Sequence, residues 1–90
     1  MKREEILETI KEILKRYGIK KARLFGSFAR GGPFNDIDIL IDPPENFGFF
    51  DLCKMADEME ERLKVKVDVV TVGGLSKYIK PYVEKEAVPI

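Results

Sequence analysis

Residues 24–41 read Leu24-Phe25-Gly26-Ser27-Phe28-Ala29-Arg30-Gly31-Gly32-Pro33-Phe34-Asn35-Asp36-Ile37-Asp38-Ile39-Leu40-Ile41, and this stretch decides how the rest of the chain is read. A strand over about 21–25 stops at Gly26-Ser27, a helical turn fits 27–30, and Gly31-Gly32-Pro33 forces a loop. A second strand follows over 36–41 and ends at Pro43-Pro44. Side chains alternate along a strand, so Ile37, Ile39 and Ile41 face a core. Asp36 and Asp38 then stand together on the other face, with backbones about 7 Å apart.

The flanking segments supply that core. Residues 2–17 put Ile6, Leu7, Ile10, Ile13, Leu14 and Tyr17 on one helical stripe, ended by Gly18. Phe49, Leu52, Cys53, Ala56, Met59 and Leu63 have the same spacing over 49–63 and predict a second packed helix. Cys53, the single cysteine, lies among Leu52, Met55 and Ala56 and reads as a core thiol in a reducing compartment. Residues 65–72 are mostly β-branched and close at Gly73-Gly74, which predicts a third strand. A turn over 75–79 and a short helix starting near Pro81 complete the chain. The order helix, strand, strand, helix, strand, helix, without internal repeats, belongs to the α/β or α+β class.

Ninety residues, 44% hydrophobic and 36% charged, fit one domain spanning 1–90. So small a domain leaves apolar surface that a partner, including a second copy of the chain, would cover. Sixteen basic side chains balance sixteen acidic ones, which disfavours a nucleic-acid partner held by phosphate neutralisation. The balance is uneven: residues 1–30 carry nine basic and four acidic groups, and residues 31–90 carry seven and twelve. The absence of histidine removes Ser-His-Asp and Cys-His catalysis and the usual zinc ligands. No stretch approaches the roughly 20 apolar residues of a membrane span, so a cytoplasmic location is expected.

Carboxylate chemistry remains. Asp68 interrupts the valine-rich strand on the face opposite Val65, Val67 and Val69. If that strand lies beside 36–41, three carboxylates meet, and their repulsion raises their pKa values unless a cation neutralises them. Hard oxygen ligands without His or clustered Cys suit magnesium or manganese, whose shells are completed by water and substrate phosphates. Gly26 lets backbone approach an anion, and Ser27 adds a hydroxyl and an amide donor. Taken singly, Asp-x-Asp also fits a solvent-facing strand end, Gly-Ser an ordinary turn, and Arg30 either a phosphate or acceptor contact or a surface ion pair.

Together, Leu24 to Gly31 and Asn35 to Leu40 resemble the signature of the polymerase β-like nucleotidyltransferase superfamily. They are most similar to its minimal nucleotidyltransferase family, whose pattern is G-S-x-A-R-G, a spacer, then S-D-x-D. Lys66-Val67-Asp68-Val69-Val70-Thr71 resembles that family's third acidic strand, and Ile79 to Ile90 its closing segment. Asn35 replaces the usual Ser, and the spacer between Gly31 and Asp36 is short.

The resemblance implies a small mixed β-sheet packed by helices. It implies magnesium ions on Asp36 and Asp38, and nucleotide phosphates on Gly26 and Ser27, with Arg30 in reach of a phosphate. Asp68 would complete the second metal site or take the proton of an attacking hydroxyl. The implied reaction moves AMP from ATP to an acceptor hydroxyl. The implied partner is a HEPN-domain toxin, silenced by adenylylation of a tyrosine, with this chain as the antitoxin. Two other readings are a binding module that inhibits its partner by contact alone and a nucleotidyltransferase acting on a small-molecule hydroxyl.

Overall fold

A computed structural model describes residues 1–90. Helix α1 (Arg3–Arg16) leads into strand β1 (Lys21–Phe25), the one-turn helix α2 (Gly26–Arg30) and strand β2 (Asp36–Asp42). Helix α3 (Phe49–Leu63) then precedes strand β3 (Lys66–Thr71), helix α4 (Lys80–Glu86) and a short strand β4 (Val88–Pro89). The four strands form one mixed sheet in the order β3-β2-β1-β4. β2 is antiparallel to β1 and parallel to β3, and β1 is antiparallel to β4. A parallel pair needs a long crossover, and α3 supplies it between β2 and β3.

One face of the sheet and two helices enclose the core. Ile6, Ile10, Ile13 and Leu14 of α1 and Met55, Met59 and Leu63 of α3 pack against Leu24, Ile37, Ile39, Ile41 and Val67. Full burial of each such side chain contributes roughly 1.5–3 kcal/mol. The Ile37, Ile39 and Ile41 face is buried as the alternation predicts. Leu40 and Val83 are buried outside that cluster.

The α1 stripe is observed as predicted, with Leu7 and Tyr17 partly buried at its margin. The α3 stripe is rotated from the expected one. Phe49 and Cys53 are exposed, Ala56 is half-buried, and Met55 takes the fully buried place. Cys53 is therefore not a core thiol. The reason lies at the helix start: the carboxylate of Asp51 accepts from the Gly48 N–H at 2.9 Å, and Phe47 packs edge-on against Tyr17 with ring centroids 6.5 Å apart. Phe47 thus anchors the helix entry, and Phe49 and Phe50, in the first turn, face outward.

Pro81 stands in the first turn of α4, as its fixed φ favours. β4 has no signal in the sequence, because two residues carry no periodicity. It exists through pairing, Leu24 with Val88 and Arg23 with Pro89. No helix is long and apolar enough to cross a membrane.

Candidate active site

The β2–β3 register places Asp38 opposite Asp68 and Asp36 opposite Lys66. Neighbours in register share a face, so Asp36, Asp38 and Asp68 meet on the sheet face away from the core. One carboxylate oxygen from each lies within 4.8 Å of the others. The juxtaposition that the sequence makes conditional on neighbouring strands is present. Glu60 of α3 secures the acidic strand, its Oε2 accepting from the Val67 N–H at 2.9 Å.

The third strand of the site is β1, whose last residue, Phe25, pairs with Asp38. Gly26 follows at φ +75°, where a β-carbon is disfavoured. A side chain there would overlap Oδ2 of Asp38 and lie 3.3 Å from its Cγ. Gly26 and Asp38 are thus in direct contact, and Ser27 is the next residue of α2. The short α2 is held by Phe28, which is fully buried, touches Phe34 edge-on at 4.7 Å, and lies beneath the Arg3 guanidinium at 4.0 Å. Arg3 also donates to the Phe28 carbonyl. Gly31, at φ +90°, ends the helix and turns the chain toward β2.

Burial, and then the like charges of Asp36 and Asp68, push the Asp38 carboxyl above the usual carboxylate range. Lys66 and Arg30 oppose that rise. Arg30, for which a phosphate contact and an ion pair are both open on sequence grounds, binds Glu86 of α4 at 3.1 Å. Lys66 is absent from the sequence-derived site. Its signal was available, since it shares the β3 face of Asp68 two residues on, but its neighbour Asp36 follows only from the parallel register.

A cluster of oxygen donors this close, with one carboxyl already biased toward its neutral form, is a donor set that fits a hard divalent cation. A family model for the nucleotidyltransferase domain matches residues 5–90. The chain belongs to the nucleotidyltransferase domain family. It is similar to a Methanocaldococcus jannaschii protein that carries the name protein adenylyltransferase, with 38% identity over 88 residues covering 96% of this chain and 95% of the relative.

A solved minimal nucleotidyltransferase structure superposes with a TM-score of 0.84 at 30% identity, covering 100% of this chain and 97% of that one. A Shewanella oneidensis complex described as a tri-AMPylated HEPN toxin with its MNT antitoxin matches at a TM-score of 0.80, covering 98% of this chain and 71% of the other. At 19% identity that match speaks for the fold. The sequence expectation of a minimal nucleotidyltransferase is met, and this chain is a nucleotidyltransferase with that family's mixed sheet.

Proposed function

We propose that this nucleotidyltransferase transfers AMP from ATP to a hydroxyl of a partner protein, a tyrosine of a HEPN-type toxin, and so acts as an antitoxin. The observation that carries the reading is the convergence of Asp36, Asp38 and Asp68 within 4.8 Å beside the Gly26-Ser27 turn. Support for a protein acceptor comes from the relative named protein adenylyltransferase, and for a toxin acceptor from the AMPylated HEPN toxin seen with an antitoxin of this fold.

Asp36, Asp38 and Asp68 would hold divalent magnesium, with manganese the substitute. When bound, such ions supply neutralising charge at the attacking and leaving oxygens of phosphoryl transfer. The Gly26 and Ser27 amides and the Ser27 hydroxyl hold the phosphates and fix the α-phosphorus for in-line attack. The acceptor oxygen forms its bond to the α-phosphorus as the bond to the β-phosphate bridging oxygen breaks, and pyrophosphate leaves. Asp68 takes the acceptor's proton or completes the second ion's ligands. Burial and the neighbouring Asp36 and Asp68 disfavour the charged form of Asp38, a penalty that cation charge at the cluster would offset.

Co-production with a HEPN-type partner tests the biological half. Wild type should neutralise the partner and leave one or more AMP groups on it by intact mass. The Asp36→Asn/Asp38→Asn variant should do neither. Full neutralisation by that variant would show inhibition by contact.

A further inference from the structure

Three ionised carboxylates carry three negative charges, and one divalent ion cancels two. Register places Lys66 beside Asp36, on the face it shares with Asp68. Lys66 is exposed and takes no part in the four ion pairs of the fold, Arg16–Glu58, Arg30–Glu86, Arg62–Glu12 and Lys80–Glu84. Lys66 makes no contact pair with the carboxylates of the site either, so its charge acts on them through space, from its register position beside Asp36 and on the face of Asp68. Arg30, the other basic group acting on the cluster, is already engaged by Glu86.

We infer that Lys66 is the built-in counter-charge of the acidic cluster, a positioning residue that limits how tightly the site holds divalent ions before nucleotide arrives. The inference rests on the metal-dependent reading above and deepens it. With Lys66 the cluster has a net charge of −2, which one divalent ion neutralises. Without Lys66 it is −3, and the surplus charge favours a first ion more strongly and admits a second. In the intact site the charge needed for a second ion arrives with the triphosphate. Lysine suits this role because its compact charge sits on a flexible four-carbon stem that can swing aside. The same opposition is visible at Asp38, where Lys66 counters the upward pull of burial and of the two neighbouring aspartates.

The test is Mn2+ binding to the nucleotide-free full chain, followed by the electron paramagnetic resonance of the free ion. Lys66→Met should bind the first Mn2+ about five- to tenfold more tightly than wild type, the scale expected for one nearby partly screened charge, and should take up a second equivalent. Lys66→Arg should match wild type. Because Lys66 is exposed, both variants should keep the wild-type far-ultraviolet circular dichroism and cooperative unfolding, so altered packing is separated from altered charge. Equal or weaker Mn2+ binding by a folded Lys66→Met would overturn the role of Lys66 and leave the metal-dependent reading standing. Absence of Mn2+ binding by wild type and variant alike would overturn both.

Discussion

Oδ2 of Asp38 occupies the space into which a side chain at Gly26 would grow. The glycine that follows β1 and the acid at the middle of the site are therefore one arrangement, and Gly26 makes room for a carboxylate as well as for a phosphate. Gly26→Ala should lower AMP transfer at least about 100-fold, since a displacement near 1 Å in a reacting constellation has that scale of effect. The positive φ adds a destabilisation of about 1–3 kcal/mol, visible in denaturant unfolding. Transfer at the wild-type rate by Gly26→Ala would mean that the observed Asp38 position is not required.

Asp38 binds its proton more readily in the folded than in the unfolded chain, because burial and its acidic neighbours penalise the charged form. The sign follows from linkage: its contribution to stability is fully present below the unfolded carboxylate value, about 3.9, and is lost as pH rises through the raised folded value. Asp38→Asn should therefore stabilise the ion-free protein at pH 7, modestly because solvent screens a group this exposed, while abolishing transfer. It should have little effect on stability at pH 3. Urea unfolding at the two pH values, in the presence of a chelator, checks the difference.

Divalent ions should reverse that penalty. Mg2+ or Mn2+ at ten times its dissociation constant should stabilise wild type by about 1.4 kcal/mol through preferential binding to the folded chain. Asp36→Asn/Asp38→Asn should show no such gain, and a chelator should return wild type to its ion-free unfolding temperature. Thermal unfolding with and without the ion makes the comparison. Equal stabilisation of wild type and variant would place the ion elsewhere.

Phe28 links the core to the site, since it is fully buried in the helical turn that begins with Gly26 and Ser27. Phe28→Ala should cost about 3–5 kcal/mol and loosen α2. Phe49→Ser and Phe50→Ser, at positions 79% and 78% exposed, should change stability by less than about 0.5 kcal/mol. Denaturant unfolding of the three variants would decide the two assignments.

Legibility in the sequence followed the range of the interaction. The Ile37, Ile39, Ile41 alternation is local, and it carried both the core face of β2 and the placement of half-buried Asp36 and Asp38 on the opposite face. The third carboxylate depended on which strands are neighbours, so Asp68 was a conditional member until the register joined it to Asp38. The α3 face was misplaced because Phe49 and Cys53 satisfy the helical spacing as well as Met55 and Met59 do, and periodicity does not say which side meets the sheet. Phe28 stood in a segment too short to show a period. The Arg30–Glu86 pair and the two-residue β4 join distant parts of the chain and left no trace in either segment.

The most direct test of the account is transfer of label from ATP into a lysate of the native host in the presence of Mg2+. It compares α-labelled with γ-labelled nucleotide and wild type with Asp36→Asn/Asp38→Asn. The account predicts a protein band labelled from the α-position alone, present with wild type and missing with the variant. Label from the γ-position, or equal α-label with wild type and variant, would contradict it.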